Sequence, residues 1–487
     1  MKYCLTSRSA DTVAKDALIV FVEDKKPLSE QPEALSRLLT EQIKKNQFSG
    51  DALQTAVFPS FGKIKAERII LAGLGANKVF RMETLERAAA AVRAGIQAGA
   101  KNFAIAACPG NNSPESLHAV ARGAAWGTYS FTTFKTGKKT GTSCSLTFSG
   151  ITKHTAAFRK ALTDADAESK ALLSTADLAN LPGNIATPQK IASWSRSMAK
   201  ENGLTCSVLS KAELKKQHCN ALLAVAAGSD LDAKIITLKH KGTDPKAKPV
   251  VLVGKTITFD SGGISLKPGK NMGWMLYDKC GGMAVLTAMQ MVARLKLKTP
   301  VIGILTVAEN MPSGGATRPG DIVKSRSGKT IEILNTDAEG RLALCDALDL
   351  ALTHKPAAVV DLATLTGAVI VALGHTASAV IGNNSNLTEK LTQSAEAAGE
   401  RLWELPLWQE YKDQMKGTFA DLQNIGKDGT AGTITAGAFL SEFVPENIPW
   451  AHIDIAGTAW VESPKPWMAP GATLYGARTL IEWIKNL

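Results

Sequence analysis

Short, fully apolar runs alternate with amphipathic stretches along most of this chain. In the first third, Ala17-Leu18-Ile19-Val20-Phe21-Val22, Arg68-Ile69-Ile70-Leu71-Ala72-Gly73-Leu74-Gly75 and Phe103-Ala104-Ile105-Ala106-Ala107 read as buried strands. Met82 to Ala98, rich in Ala and Arg, reads as a helix. Residues 155–180 read as one long helix ending at the Leu181-Pro182-Gly183-Asn184 break. Residues 185–247 are polar and mixed, helix plus strand. Beyond them the rhythm sharpens. Pro249 to Val253, Pro300 to Val307, Ala357 to Leu362 and Ala451 to Ile455 read as strands, and Gly281 to Leu295 and Arg341 to Leu352 as helices. Asp321 to Asn335 reads as a hairpin turning at Gly328-Lys329. Strands alternating with helices predict an α/β fold. The expected organisation is a smaller N-terminal α/β domain over 1–160, a linker helix over 161–184, and a larger C-terminal domain over 185–487. In the larger domain a mostly parallel sheet is flanked by helices on both faces.

Composition adds limits. A chain of 487 residues exceeds one ordinary core, and 45% hydrophobic content is that of a globular protein. The first eight residues hold no apolar core of a signal peptide, and no apolar run reaches the roughly 18 residues of a membrane span. Seven cysteines at irregular spacing argue against a disulfide framework, so reduced thiols and a cytoplasmic location are expected. Charge is uneven: residues 1–160 carry 23 Lys and Arg against 12 Asp and Glu, and the remainder 33 against 32. A basic domain can attract nucleic acid, although no helix-turn-helix or zinc-finger spacing accompanies it. Gly73-Leu74-Gly75 lacks the third glycine of a dinucleotide loop.

The chemistry concentrates in the second half. Asn335-Thr336-Asp337-Ala338-Glu339-Gly340-Arg341 sets two carboxylates two residues apart and a guanidinium two further on. Upstream lie Lys255, Asp260, Lys267 and Asp278. Taken singly, Asp260 before Ser261-Gly262-Gly263 reads as a turn former and Asp337 as a helix cap. Lys255 and Lys267 taken singly read as surface lysines. Taken together they bracket strand ends of one predicted sheet, where such folds place their sites. Four carboxylates can hold two divalent cations, and two-metal sites hydrolyse phosphates and peptides. Oxygen ligands suit Mn²⁺ or Mg²⁺, and Zn²⁺ accepts them too. His452, between apolar neighbours, reads as a core histidine. Arg341 at a helix start reads as an anion site.

The octapeptide Asn335 to Leu342 resembles the signature of the leucyl aminopeptidase family of metallopeptidases. Thr258 to Pro268, Glu309 to Gly314, Arg318 to Asp321, Ala363 to Ala368 and Ile455 to Trp460 resemble the family as well, in order over residues 180–487. The resemblance implies release of N-terminal residues from peptides and aminoacyl amides by a water bridging two metal ions, Mn²⁺ or Zn²⁺ with Mg²⁺ also compatible. It implies that Asp260 and Glu339 bridge both metals, that Lys255 and Asp278 serve the tighter site, and that Asp337 serves the more exchangeable one. Lys255 would then be a neutral amine, its pKa depressed by metals and burial. Lys267 is implied to polarise the substrate carbonyl, and Arg341 to hold a bicarbonate acting as general base. Met275, Thr364, Leu365, Gly367 and Ala456 resemble substrate-binding positions. A homohexamer is implied, and some bacterial relatives bind DNA, so a regulatory role of the basic N-terminal domain accompanies the enzymatic reading. A two-metal phosphoesterase would use similar carboxylates, but the full motif set disfavours it. Three departures stand out: Thr256 where glycine is frequent, Gly282-Met283 where small alanines are common, and the Gly471 to Gly476 segment.

Overall fold

The apolar runs become strands whose alternate residues feed opposite cores. The structure is a computed structural model and describes residues 1–27, 33–45, 47–75, 82–109, 112–137, 143–152, 155–244 and 246–487. It divides into two compact units: Met1–Leu173 with Val461–Pro470, and Ser174–Trp460 with Gly471–Leu487. The division falls inside the helix Ala156–Ala179.

In the first unit, strands Lys2–Leu5, Ser145–Phe148, Asn102–Ile105, Ala17–Glu23 and Arg68–Gly73 lie side by side in parallel. Thr55–Pro59 closes the edge antiparallel. Ile19 and Phe21 join one core with Ala88, Val92, Leu117 and Val120 from the helices Met82–Gln97 and Pro114–Gly127. Leu18, Val20 and Val22 join the other core, with Leu35, Leu38 and Leu39 from the helix Glu33–Lys45. The two-residue period of the strand thus covers the sheet on both faces.

The second unit holds an eight-stranded sheet. In spatial order its strands are Leu402–Glu404, Ser378–Gly382, Trp450–Asp454, Ala358–Ala363, Val250–Asp260, Val301–Asn310, Lys234–His240 and Thr205–Leu209. The middle four run parallel, and antiparallel pairings flank them on either side. The Val250–Asp260 strand is longer than its apolar run, which stops at Val253, because Gly254 to Thr258 are all buried too. Gly254 faces the helix Cys280–Arg294: a Cβ there would lie 2.5 Å from Gly282 Cα. Lys255 faces the opposite helix, Glu339–Leu352, against Gly340. A smaller sheet pairs Asp321–Lys324 and Leu422–Gln423 with Thr330–Ile333, so the expected hairpin is present. The parallel strands end together at Asp260, Asn310, Ala363 and Asp454, and this edge carries the chemistry. No helix among the described residues is long and apolar enough to cross a membrane.

Candidate metal centre

Asp260 is the last residue of its strand. A shift of register between Ile257 and Asp260 sets it opposite Asn310 on the neighbouring strand. Asn310 Nδ2 donates to Asp260 Oδ1 at 2.8 Å, and the Gly262 N–H donates to the same oxygen at 2.9 Å. Gly262 and Gly263 have φ of +89° and +69°, where side chains are strained. A Cβ on Gly262 would also meet Ser265 O at 2.5 Å and Asp337 Oδ1 at 2.9 Å. The Ser-Gly-Gly turn is therefore what lets backbone pass beside two carboxylates.

Lys255 lies mid-strand and is 3% exposed at its side chain. Its Nζ sits 2.8 Å from Asp278 Oδ1, 2.7 Å from Glu339 Oε1 and 2.9 Å from the Thr364 carbonyl, to which it donates. A Cβ on Gly340 would come within 2.6 Å of that amine, so the glycine of the signature makes room for the lysine. Asp278 follows the turn Met272–Tyr277, and Thr364 Oγ1 donates to its Oδ1 at 2.8 Å. Lys267, with one-fifth of its side chain exposed, places Nζ 2.8 Å from Asp260 Oδ2 and also contacts Asp337 Oδ1. Asp260, Asp337 and Glu339 each offer an oxygen within 4.8 Å of the others, a spacing that can hold a metal ion. Glu339 opens its helix two residues earlier than expected, which places it and Arg341 in the same first turn.

Burial pushes the carboxyls of Asp260, Asp278 and Asp337 upward. Neighbouring carboxylates add to this and the two lysines work against it. The expectation for Lys255 was a pKa depressed by metals and burial together. Burial does act that way here, but Asp278, Glu339 and Asp260 outweigh it and hold the ammonium above its usual range. The reason is physical: the amine is the counter-ion of the buried acids. Burial lowers the Arg341 guanidinium to about 10. Its Nη1 donates to the Asn424 carbonyl at 2.8 Å, while its Nε is buried without a hydrogen bond.

The five substrate-binding candidates divide. Thr364 and Leu365 follow directly on the Ala358–Ala363 strand, and Asp454 Oδ1 accepts the Leu365 N–H at 3.0 Å and the Ala456 N–H at 3.2 Å. Ala456 packs with Val369, of the helix that Gly367 opens, and with Ala379. Met275 lies on the same turn as Asp278, whose N–H donates to the Met275 carbonyl at 3.2 Å; no hydrogen bond joins it to the other four. His452 is in the core as expected, with Nδ1 2.6 Å from Asp361 Oδ1. Sequence reading missed Asn310 and Asp454, which orient the acids and the loops around them. Apart from Ala456, two residues from Asp454, their partners named here lie 26 to 89 positions away in the chain, so spacing along the sequence does not reveal these contacts. Two departures turn out to be one: a Cβ on Gly282 would lie 1.9 Å from Thr256 Oγ1, so the larger residue fills the space the smaller one leaves.

The donor set fits divalent cations. Four carboxylates face only two ammonium groups. Asp278 Oδ2, Asp337 Oδ1 and Glu339 Oε1 are buried without a hydrogen bond, although the last two lie close to a lysine. Buried oxygens in that state are what a cation would satisfy.

Comparison with known proteins agrees with this geometry. Residues 174–481 match the catalytic domain of the cytosol aminopeptidase family and residues 19–138 its N-terminal domain. The chain is 43% identical over 460 residues to a probable cytosol aminopeptidase of Geotalea uraniireducens, covering 93% of this chain and 92% of that one. It is 40% identical over 483 residues to the cytosol aminopeptidase of Pseudomonas aeruginosa PAO1, covering 97% of each. Among solved structures, a tomato leucine aminopeptidase mutant superposes with a TM-score of 0.88 at 31% identity, over 100% of this chain and 97% of that one. The bottromycin maturation enzyme BotP in complex with Mn superposes at 0.84 and 31% identity, over 97% and 99%. With both domains matched in order and the acidic cluster at the sheet edge, the chain belongs to the cytosol aminopeptidase family.

Proposed function

We propose that the chain removes N-terminal residues, leucine among them, from peptides and aminoacyl amides at a two-metal site. The observation that carries this is the largely buried cluster itself, in which four carboxylates and two lysines meet near the carboxyl end of the Val250–Asp260 strand. Lys255, Asp260, Asp278, Asp337 and Glu339 would hold the pair, with Mn²⁺, Zn²⁺ and Mg²⁺ all compatible with these donors. Bound there, the ions would supply an acidified water and a docking point for a free α-amine.

The chain's own groups do the rest. Asp260 is held by Asn310 and Gly262, so its free lone pairs keep one direction. Lys267 is the partly exposed cation of the cluster, and its ammonium can meet charge developing on the substrate carbonyl oxygen. Arg341 has donors to spare at a helix N-terminus, which suits a small planar anion such as bicarbonate. That anion would supply the general base, since the four acids are committed as ligands. Thr364, Leu365 and Ala456, on loops pinned by Asp454 and Asp278, with Met275 and Gly367, would line the pocket for the first side chain. The family's homohexamer and cytoplasmic location belong to the same reading.

The test is hydrolysis of a leucyl chromogenic amide by metal-loaded protein. Acetyl-leucyl amide and a phosphodiester serve as comparison substrates. Cleavage of the free-amine substrate alone supports the proposal; equal turnover of the acetylated one refutes an exopeptidase. The basic excess of residues 1–160 supports a second role in binding duplex DNA. Retention of a duplex by the full chain at low salt and its release at high salt would test that role, and no retention at low salt would dismiss it.

A further inference from the structure

The turn carrying Asp337 and Glu339 is held on one side through Thr336: its N–H donates to Ser265 Oγ at 3.1 Å, its Oγ1 donates to the Gly262 carbonyl at 2.7 Å, and its carbonyl accepts from Asn310 Nδ2 at 3.1 Å. The turn's own bonds are Asn335 Oδ1 accepting the Asp337 N–H at 2.8 Å and Asn335 O accepting the Ala338 N–H at 3.3 Å. The helix that follows has no side-chain cap. The restraint on the other side comes from Asn424, which follows the short strand Leu422–Gln423 and is fully buried.

Asn424 spends every group it has on this turn and its surroundings. Its N–H donates to the Glu332 carbonyl at 3.0 Å, continuing the sheet. Its Oδ1 accepts from the Leu334 N–H at 2.8 Å and the Asn335 N–H at 3.3 Å. Its Nδ2 donates to the Asn335 carbonyl at 2.6 Å and, at 3.4 Å, to the Ala338 carbonyl. A primary amide has two donors and two acceptor sites, so this side chain is saturated. Its own carbonyl then accepts from Arg341 Nη1 at 2.8 Å. One residue therefore grips the backbone on both sides of Asp337 and fixes the guanidinium beyond Glu339. Aspartate has no N–H for the two carbonyls, and glutamine is one methylene too long for a fully buried slot.

We propose that Asn424 is a positioning residue that sets Asp337, Glu339 and Arg341 relative to one another. The inference rests on the two-metal reading for what those three residues do. Metal sites lose affinity when the groups orienting their ligands are removed, typically by about 10–100-fold. A general base misplaced by about 1 Å costs on the order of 10²-fold in rate.

The test uses full-length Asn424→Ala, Asn424→Ser and Asn424→Asp. Mn²⁺ affinity is measured by calorimetry without substrate. On a leucyl amide at saturating Mn²⁺, kcat, KM and the bicarbonate concentration for half-activation are measured. Each value is corrected for the folded fraction read from a thermal melt. Expected for Ala and Asp is a Mn²⁺ affinity lower by about tenfold or more and a kcat lower by about 10²-fold, with KM changed less than about threefold. Serine, which keeps an acceptor for the Leu334 N–H, should recover part of both. A folded Ala or Asp variant with wild-type Mn²⁺ affinity and kcat overturns the proposal. Failure of all three variants to fold also overturns it, since the residue then serves the fold alone. If the wild type shows no aminopeptidase activity or no bicarbonate response, the parent reading fails while the Mn²⁺ titration still decides the role of Asn424.

Discussion

Gly282→Ala tests how closely this chain has paired two of its departures from the family pattern. The new methyl carbon would lie 1.9 Å from Thr256 Oγ1 and 3.0 Å from Thr256 Cβ, where ordinary contact needs about 3.4–4 Å. Thr256 cannot retreat easily. It is fully buried in the central strand and registered with Val307. Its Oγ1 also donates to the Gly254 carbonyl at 3.1 Å. Overpacking of this kind costs about 1–3 kcal/mol, and the better helix propensity of alanine returns roughly 1 kcal/mol. Thr256→Gly alone should also destabilise, by about 1–3 kcal/mol, through the cavity and the glycine placed in a strand. The double variant lets the alanine methyl occupy the vacated volume. A coupling energy of about 1–3 kcal/mol in favour of the pair is expected. Thermal melts in chelator, which holds metal stabilisation fixed, should show the double variant more stable than the sum of the single changes by several degrees. Strict additivity, or a neutral Gly282→Ala, would refute the argument from packing. Lys255 adjoins Thr256 and Asp278 lies just before this helix, so the Gly282→Ala variant should also lose peptidase activity and the double variant regain it.

Other outcomes follow from the site. Asp260→Ala or Glu339→Ala should abolish leucyl amide hydrolysis and lower metal content; full activity at near-saturating metal would remove both from the ligand set. Lys267→Ala should slow turnover strongly and leave metal content unchanged by elemental analysis, whereas metal loss would make the lysine structural. Arg341→Ala should slow turnover by roughly 10²–10⁴-fold, and added bicarbonate should stimulate depleted wild type far more than the mutant. Lys279 is fully buried, with Nζ donating to the Leu181 carbonyl at 3.0 Å, and burial lowers its amine to about 8. Below that pH it is charged in both folded and unfolded chains, and burying the charge costs stability. Between about 8 and the ordinary lysine value near 10.4, only the unfolded chain holds the proton, so wild-type stability should rise with pH. Denaturation of Lys279→Met over the same range should lack this rise, and identical pH profiles would sink the assignment.

Most of the fold was legible because each apolar run reports a local period. Ala17–Glu23, Met82–Gln97 and Ala156–Ala179 appear within two residues of where the pattern puts them. The Val250–Asp260 strand was under-read, since Lys255 interrupts its apolar pattern. The pattern could not register that Asp278 and Glu339 neutralise that lysine inside the sheet. The antiparallel direction of Lys234–His240 was equally hidden, because strand direction follows from the connection and not from side-chain alternation. That Lys255, Asp260, Lys267, Asp278, Asp337 and Glu339 form one cluster was legible because they fall in or near contiguous motifs. The contacts of Asn310 with Asp260, of Asp454 with Leu365 and of Asn424 with Asn335 were not, although Asn310 lies within the Glu309 to Gly314 motif, because the fold brings those partners together from 50 to 89 positions apart.

The same distinction bears on how the acids of this cluster are held together. Three buried carboxylates, Asp260, Asp278 and Glu339, beside the half-buried Asp337 would repel one another, and the buried three would lose their hydration, at a cost of several kcal/mol per unpaired ion. The chain meets this with two lysines. Lys255 stands between Asp278 and Glu339, and Lys267 between Asp260 and Asp337, so each ammonium bridges two acids. Their roles cannot be equivalent. Lys255 has nearly no access to water and is boxed in by Gly340 and the Thr364 carbonyl, so its side chain has no room to leave the cluster. Lys267 retains one-fifth of its side-chain exposure, so it can swing toward solvent and a substrate while remaining charged. On the proposed reading, a buried amine that stays in place would suit a nitrogen ligand, and an ammonium with one-fifth of its side chain exposed would suit an electrophile that can move. The difference between the two lysines therefore lies in the packing around them, which is why the glycine beside Lys255 matters as much as the acids it contacts.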